Sequence, residues 1–132
     1  MEIIKSELNE GYNKFYIGTH GNFDNMALEV CRFLRKIYKD MEINIVLTSL
    51  NVLKKEYKND YIPYQDVNTF MFDIEDEFYK NQIIVSNKKM IDLSDILICY
   101  VNPKAVNSGA KLVLNYAKRK GLKIINLFET IF

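Results

Sequence analysis

Two glycine-containing turns are the parts of this chain whose residue types best suit the binding of a small anionic ligand. Gly18-Thr19-His20-Gly21-Asn22 follows one short apolar run, and Asn102 to Ala110, which contains Ser108-Gly109, follows a second. Each turn is expected to lead from a strand into a helix, where backbone N–H groups and the helix dipole favour an anion. Two such turns in one small chain indicate a pocket of the nucleotide-binding type.

Polar side chains in and near the turns supply further candidates. His20 is the chain's one histidine; it can donate to a phosphate or ribose oxygen, although a surface or structural role is equally open. Ser108 can cap the following helix and also touch a ligand, and Lys111 adds a positive charge one turn later. The candidate ligand-binding residues are Gly18, Thr19, His20, Gly21, Asn22, Thr48, Asn87, Asn102, Ser108, Gly109, Ala110 and Lys111.

Other kinds of site are not indicated by the residues. The chain has no dinucleotide-binding glycine fingerprint, no P-loop, no nucleophile elbow and no C-x-x-C pair. Acidic residues from Asp73 to Glu77 lack nearby histidine or cysteine, so they are interpreted as a solvated edge. Cys31 and Cys99 fall in apolar segments and are interpreted as reduced core residues. We therefore expect no catalytic residue, no metal ion and no cofactor.

A tyrosine- and phenylalanine-rich stretch in the middle of the chain offers rings on which a base can stack. Aromatic residues in a long connection are nevertheless more often packing residues or part of a partner surface. The residues concerned are Tyr57, Tyr61, Tyr64, Phe70 and Phe72.

Composition limits the class of protein. The chain has 132 residues, of which 48% are hydrophobic and 27% charged, typical of one globular domain with one core. A net charge of +1 gives no general attraction to nucleic acid or to an anionic membrane. Neither a signal-peptide pattern nor an apolar run of membrane-spanning length is present, so we expect a cytoplasmic protein.

Hydrophobic spacing predicts strands that alternate with helices. The predicted strands are Asn13 to Gly18, Ile43 to Leu47, a short one around Thr69 to Ile74, Asp95 to Val101 and Lys123 to Leu127. The predicted helices run from Asn22 or Asp24 to about Lys39, from an N-cap at Ser86 through Asp92, and from about Gly109 to Lys120, where Gly121 stops the helix. Asn51 to Tyr57 is compatible with a helical turn or two.

This alternation predicts one Rossmann-like α/β domain over residues 1–132. The expected architecture is three-layer α/β/α, with a mainly parallel five-stranded sheet of order 3-2-1-4-5. Ligands of such sheets bind at the carboxyl ends of the strands where the winding reverses, here between the first strand and the Asp95 to Val101 strand. Those two strands are the ones that the glycine turns follow.

Four segments resemble small Firmicutes and phage proteins of the SLOG superfamily, which is related to the Lonely guy phosphoribohydrolases and to DNA processing protein A. The segments are Phe15 to Asp24, Ser86 to Ile91, Ser94 to Tyr100 and Ser108 to Lys111. The resemblance implies a Rossmann-like fold that binds nucleotides or nucleotide-derived signals, in some members within bacterial antiviral systems.

Two departures from the family pattern bear on whether this chain is an enzyme. The enzymatic branch resembles P-G-G-x-G-T-x-x-E, but Asn107 to Leu114 contains no glutamate. Relatives often have an arginine just before the asparagine that matches Asn87, whereas this chain has Ser86. The resemblance, with these departures, implies recognition rather than cleavage.

Three functions stay open. The first is a non-catalytic sensor or sequestering protein for a nucleotide-derived molecule, with a role in phage–bacterium conflict. The second is an N-glycosidic hydrolase or transferase of the phosphoribohydrolase or deoxyribosyltransferase type, with Asp24, Asp73 or Glu75 near the anomeric carbon. The third is a protein interaction module with a vestigial pocket. Small domains of this kind often dimerise, so a homodimer or higher homo-oligomer is also open.

Overall fold

The computed structural model describes residues 1–19, 21–48, 66–72, 79–104 and 109–128. Over these residues the chain is α/β, with four helices and five strands, and each strand pairing is parallel. The chain divides into two compact units, Met1–Phe72 and Asp73–Phe132. No helix within the described ranges is both long and apolar enough to cross a membrane.

The first unit contains a parallel sheet of order β1-β2-β3. Ile17 lies opposite Ile45 in the register, and Ile45 lies opposite Thr69. The elements are α1 at Glu2–Asn9, β1 at Lys14–Ile17, α2 at Asn22–Arg35, β2 at Glu42–Leu47 and β3 at Asn68–Met71.

One face of this sheet is apolar because alternate residues of a strand point to the same side. Ile17, Ile43 and Ile45 belong to a buried cluster that includes residues of both α1 and α2. Cys31 is part of that cluster and is a free thiol, which confirms it as a reduced core cysteine. Burial in this apolar setting raises the pKa of Cys31 to about 12, so the thiol is unreactive at neutral pH.

An ion-pair network joins α2 to the start of β3. Arg32 donates to both carboxylate oxygens of Asp66, from Nε at 2.9 Å and from Nη2 at 2.8 Å. Arg35 donates to Asp66 Oδ2 at 3.0 Å and to its backbone carbonyl at 2.7 Å. Partial burial acts to raise the pKa of Asp66, but the hydrogen bonds from the arginines outweigh it and hold that pKa below the ordinary value.

The second unit pairs two parallel strands and packs two helices against them. Its elements are α3 at Tyr79–Asp92, β4 at Ile96–Cys99, α4 at Gly109–Lys120 and β5 at Lys123–Asn126. Ile91 of α3 and Val113 and Ala117 of α4 form a buried cluster, with Leu97 and Ile124 of the strands against it. Cys99 is also a buried free thiol, as the sequence predicts.

A polar contact holds the exposed side of the α3–α4 pair. The Tyr116 hydroxyl donates to Asp92 Oδ1, and this hydrogen bond raises the pKa of Tyr116 above its ordinary value. Lys88 and Lys120 each place their Nζ 5.4 Å from the Tyr116 ring centroid. The tyrosine therefore links the two helices through one hydrogen bond and two cation–π contacts.

Several sequence predictions are confirmed. All five strands are present within a residue or two of their expected ends, except that β3 ends at Met71 rather than near Ile74. The last predicted helix has its expected bounds, and Gly121 follows it with φ of +81°, the left-handed conformation that ends a helix.

The helix predictions differ from the structure at three points, of which the first is that α2 ends at Arg35 rather than at about Lys39. Ser86 does not cap a short helix, because α3 begins at Tyr79 and Ser86 is buried within it. The amino-terminal helix α1 is absent from the sequence interpretation, although Ile4 and Leu8 give it an apolar face. The predicted turn at Asn51 to Tyr57 lies outside the described residues.

The strand order is confirmed in two parts. The orders 3-2-1 and 4-5 are both present, each as a separate sheet of the described residues. A single five-stranded sheet is not shown among the described residues, so the pairing of β1 with β4 stays a prediction.

Asp66→Asn should lower the free energy of unfolding at pH 7 by about 0.5 to 1 kcal/mol, a modest value because the network is partly exposed. The pKa of Asp66 is depressed in the folded state, so its contribution is present well above its ordinary value of 3.8 and is lost as the pH falls through the lowered value. Urea denaturation at pH 7 and at about pH 3 measures this difference.

The difference in stability between the variant and the wild-type protein should therefore be smaller at about pH 3 than at pH 7. Glu2→Gln is the matched control, since Glu2 is 88% exposed and its contact with Lys5 is 3.7 Å long. A loss for Asp66→Asn that does not shrink at low pH would show that the carboxylate charge is not the stabilising feature.

Candidate functional site

The residues after β1 and β2 lie side by side because parallel strands end at the same edge of a sheet. The Thr19 hydroxyl donates to the backbone carbonyl of Val46, at 3.4 Å. Thr48, the residue after β2, is only 3% exposed and is therefore a buried support of this edge. The structure thus brings Gly18, Thr19 and Thr48 together at the carboxyl end of the first sheet.

Helix α2 begins beside this edge with a glycine at its N-cap. Gly21 has φ of −175° and ψ of 168°, and no side-chain hydrogen bond caps the helix. Serine, aspartate and asparagine are preferred at such positions because their side chains accept from the first backbone N–H groups. Gly21 and Asn22 are exposed, so this end of α2 is open to solvent.

The carboxylate of Asp24 lies close to Gly18. A Cβ atom built on Gly18 would lie 2.9 Å from Asp24 Oδ2, closer than real Cβ contacts. Asp24 is in the first turn of α2, where a negative charge is favoured by the helix dipole. A carboxylate is a hydrogen-bond acceptor, and its negative charge repels a phosphate.

Aromatic rings lie near the same edge. Tyr16 and Phe70 meet edge to face with centroids 6.1 Å apart, and Phe70 meets Phe72 in the same way at 5.1 Å. These contacts favour a packing role for Phe70 and Phe72. Tyr57, Tyr61 and Tyr64 lie outside the described residues, as does His20.

A buried asparagine shapes the segment that leaves β4. Asn126 Oδ1 accepts from the backbone N–H of Val101 at 3.0 Å, and its Nδ2 donates to the Val101 carbonyl at 2.8 Å. The N–H of Phe128 also donates to Asn126 Oδ1, at 3.1 Å. Asn126 is 6% exposed, so these bonds satisfy polar groups that water does not reach.

Asn126 is a site-shaping residue that the sequence interpretation missed. The available signal is a polar residue at the end of an otherwise apolar strand, Ile124-Ile125-Asn126. Such a residue is costly to bury unless its side chain completes hydrogen bonds.

A second asparagine, Asn102, stabilises the turn in the loop after β4. Asn102 is exposed, and its Oδ1 accepts from the backbone N–H of Lys104 at 2.9 Å, an Asx-type turn. Tyr100, just before it, is half exposed and meets Phe128 edge to face with centroids 5.4 Å apart. An accessible aromatic ring therefore borders this loop.

The amino end of α4 carries the remaining candidates of the second unit. Gly109 begins the helix, and a Cβ atom there would make an ordinary contact of 3.6 Å with Ile84. Ala110 is exposed and Lys111 is half buried. Ser108 lies outside the described residues.

The structure corrects the expectation for Asn87. This residue was expected near the start of a helix, whereas it lies past the middle of α3. Asn87 is therefore eight residues from the helix start at Tyr79 and is not a helix-start residue.

Asn126→Ala should lower the free energy of unfolding by about 2 to 4 kcal/mol, because it leaves the buried N–H and carbonyl of Val101 without partners. Urea denaturation of the full chain measures this loss. Asn102→Ala is the control, since it removes one exposed hydrogen bond and should cost about 0.5 kcal/mol or less. Equal losses for the two variants would contradict the assigned role of Asn126.

The comparisons with known proteins give no further assignment. No protein-family model, no curated protein and no solved structure matches this chain.

Proposed function

We propose that this chain binds a nucleotide or a nucleotide-derived molecule at the turn that follows β1, without turning the ligand over, and that the turn that follows β4 is a separate anion-binding candidate of the second unit. The observation that carries the proposal is Gly21. Its extended backbone is one that any residue adopts, and a Cβ atom built there meets no described atom within 4 Å. Among the described residues, therefore, neither backbone conformation nor packing requires a glycine at this position.

A ligand explains this glycine directly. Serine at this position would cover the first N–H groups of α2 and would stabilise the helix by a few tenths of a kcal/mol. Glycine leaves those groups available to oxygen atoms of a bound molecule and allows that molecule to approach the backbone.

The charges near each turn, taken within its own unit, suggest which chemical group that turn suits. The Asp24 carboxylate beside Gly18 suits hydroxyl groups of a sugar or amino groups of a base. The amino end of α4, with Lys111 in its first turn, suits a phosphate. The exposed ring of Tyr100 is suited to stacking on a base.

The resemblance to the SLOG superfamily supports the same proposal. The proposed role is that of a cytoplasmic sensor or sequestering protein for a nucleotide-derived signal, in conflict between bacteria and phage. The absence of the enzymatic glutamate from Asn107 to Leu114 favours recognition over cleavage.

A panel of adenine, guanine and ADP-ribose derivatives, tested by thermal shift and calorimetry, should contain at least one binder. Gly21→Ser should weaken that binding about tenfold while the free energy of unfolding stays equal or rises by a few tenths of a kcal/mol. Gly21→Ala is the matched variant: it leaves the N–H groups uncovered, so it should lower stability yet retain more affinity than serine.

Lys111→Gln tests the second turn. It should weaken the binding of phosphorylated ligands about tenfold more than the binding of their unphosphorylated analogues, because it removes a positive charge near the phosphate. Lys118→Gln, in the exposed last turn of the same helix, is the control. Silence across the whole panel would reject the proposal, and so would a Gly21→Ser variant that binds as the wild-type protein does.

A second function is favoured by one specific observation, the position of the Asp24 carboxylate against the glycine turn. We propose N-glycosidic cleavage or transfer as this alternative, with Asp24 as the acidic group near the anomeric carbon. The other two acidic candidates, Asp73 and Glu75, lie outside the described residues.

Under this alternative the wild-type protein should release free base from nucleoside monophosphates, detected by chromatography. Asp24→Asn should lower the rate by about 100-fold or more, because the amide cannot transfer the proton or stabilise positive charge. Gly18→Ala should also lower the rate, since its methyl group displaces the carboxylate. No release by the wild-type protein would reject the alternative and leave the binding proposal standing.

A further inference from the structure

Helix α2 carries a row of exposed apolar side chains that the core does not use. Met26 is 61% exposed, Phe33 is 50% exposed, and Ile37, in the turn that follows the helix, is 59% exposed. Their spacing of seven and four residues places them on one side of the helix. The core-facing residues Leu28, Cys31 and Leu34 occupy a different side.

A pair of opposite charges borders this row. Glu29 and Lys36 are seven residues apart and therefore lie along the same edge of the row. Glu29 is 75% exposed and makes a surface contact with Arg32 at 3.3 Å, and Lys36 is also exposed. Both charges can thus meet another molecule that covers the row.

The order of Glu29 and Lys36 along the chain lets two copies of the helix form ion pairs in one relative orientation only. When two copies of a helix pair antiparallel about a twofold axis perpendicular to them, each edge faces the same edge of the other copy. With the axis between residues 32 and 33, Glu29 of each copy faces Lys36 of the other, and Phe33 lies beside the axis. A parallel pair brings opposite edges together and loses both ion pairs.

We propose that α2 is a self-association surface, on which Met26, Phe33 and Ile37 pack antiparallel against the same residues of a second copy of this chain. Glu29 and Lys36 set the orientation through two symmetric ion pairs. One helix face is small for a protein interface, so the dimer is weak and depends on concentration.

Sedimentation equilibrium over about 1 to 300 µM of the full chain, a range that suits a small interface, should show a reversible monomer–dimer equilibrium. Glu29→Lys should weaken dimerisation about tenfold, because it replaces two attractive pairs with two like-charge pairs. Lys36→Glu should have a similar effect for the same reason.

The double variant Glu29→Lys/Lys36→Glu should restore the wild-type dimer, since the exchange recreates both pairs. Phe33→Ser, at an exposed position, should leave the chain folded by circular dichroism and monomeric throughout the range. A monomeric wild-type protein would overturn the proposal. The proposal would also be overturned if the single charge substitutions left the dimer dissociation constant unchanged, or if the double variant failed to restore it.

Discussion

The parallel pairing of short strands is the constraint on which the rest of the structure depends. In each sheet, parallel pairing brings all carboxyl ends to one edge, so the segments that follow neighbouring strands are neighbours as well. Parallel strands also need long crossovers, which the helices provide while they cover an apolar sheet face. The candidate turns follow from this arrangement rather than from any local motif.

Side chains complete the hydrogen bonds that the sheet edges leave open. In the first unit the Thr19 hydroxyl bonds to the backbone of the neighbouring strand at Val46. In the second unit the Asn126 amide does the same at Val101, with two hydrogen bonds and full burial. Both contacts join the end of one strand to the end of the next, and both hold a turn that carries ligand-binding candidates.

The two glycines of the first turn, Gly18 and Gly21, differ in their surroundings. A side chain at Gly18 would require the Asp24 carboxylate to shift, which is a constraint within the folded chain itself. Among the described residues Gly21 has no such neighbour, and its backbone angles are ones that any residue adopts. The same residue type therefore has a close side-chain neighbour at one position and none among the described residues at the other.

Hydrophobic periodicity predicted the strands, most of α2 and, with the stop at Gly121, α4, because burial on a sheet requires that pattern. The alternation of these elements predicted the parallel α/β class. The start of α3 was not predictable, since that helix buries polar Gln82 and Ser86 and so lacks a clear apolar period. Only the tertiary structure decided which polar groups act at the turns. The Asp24 carboxylate lies close to Gly18, and Asn126 hydrogen-bonds to the backbone of Val101. Neither contact can be predicted from the spacing of these residues along the chain.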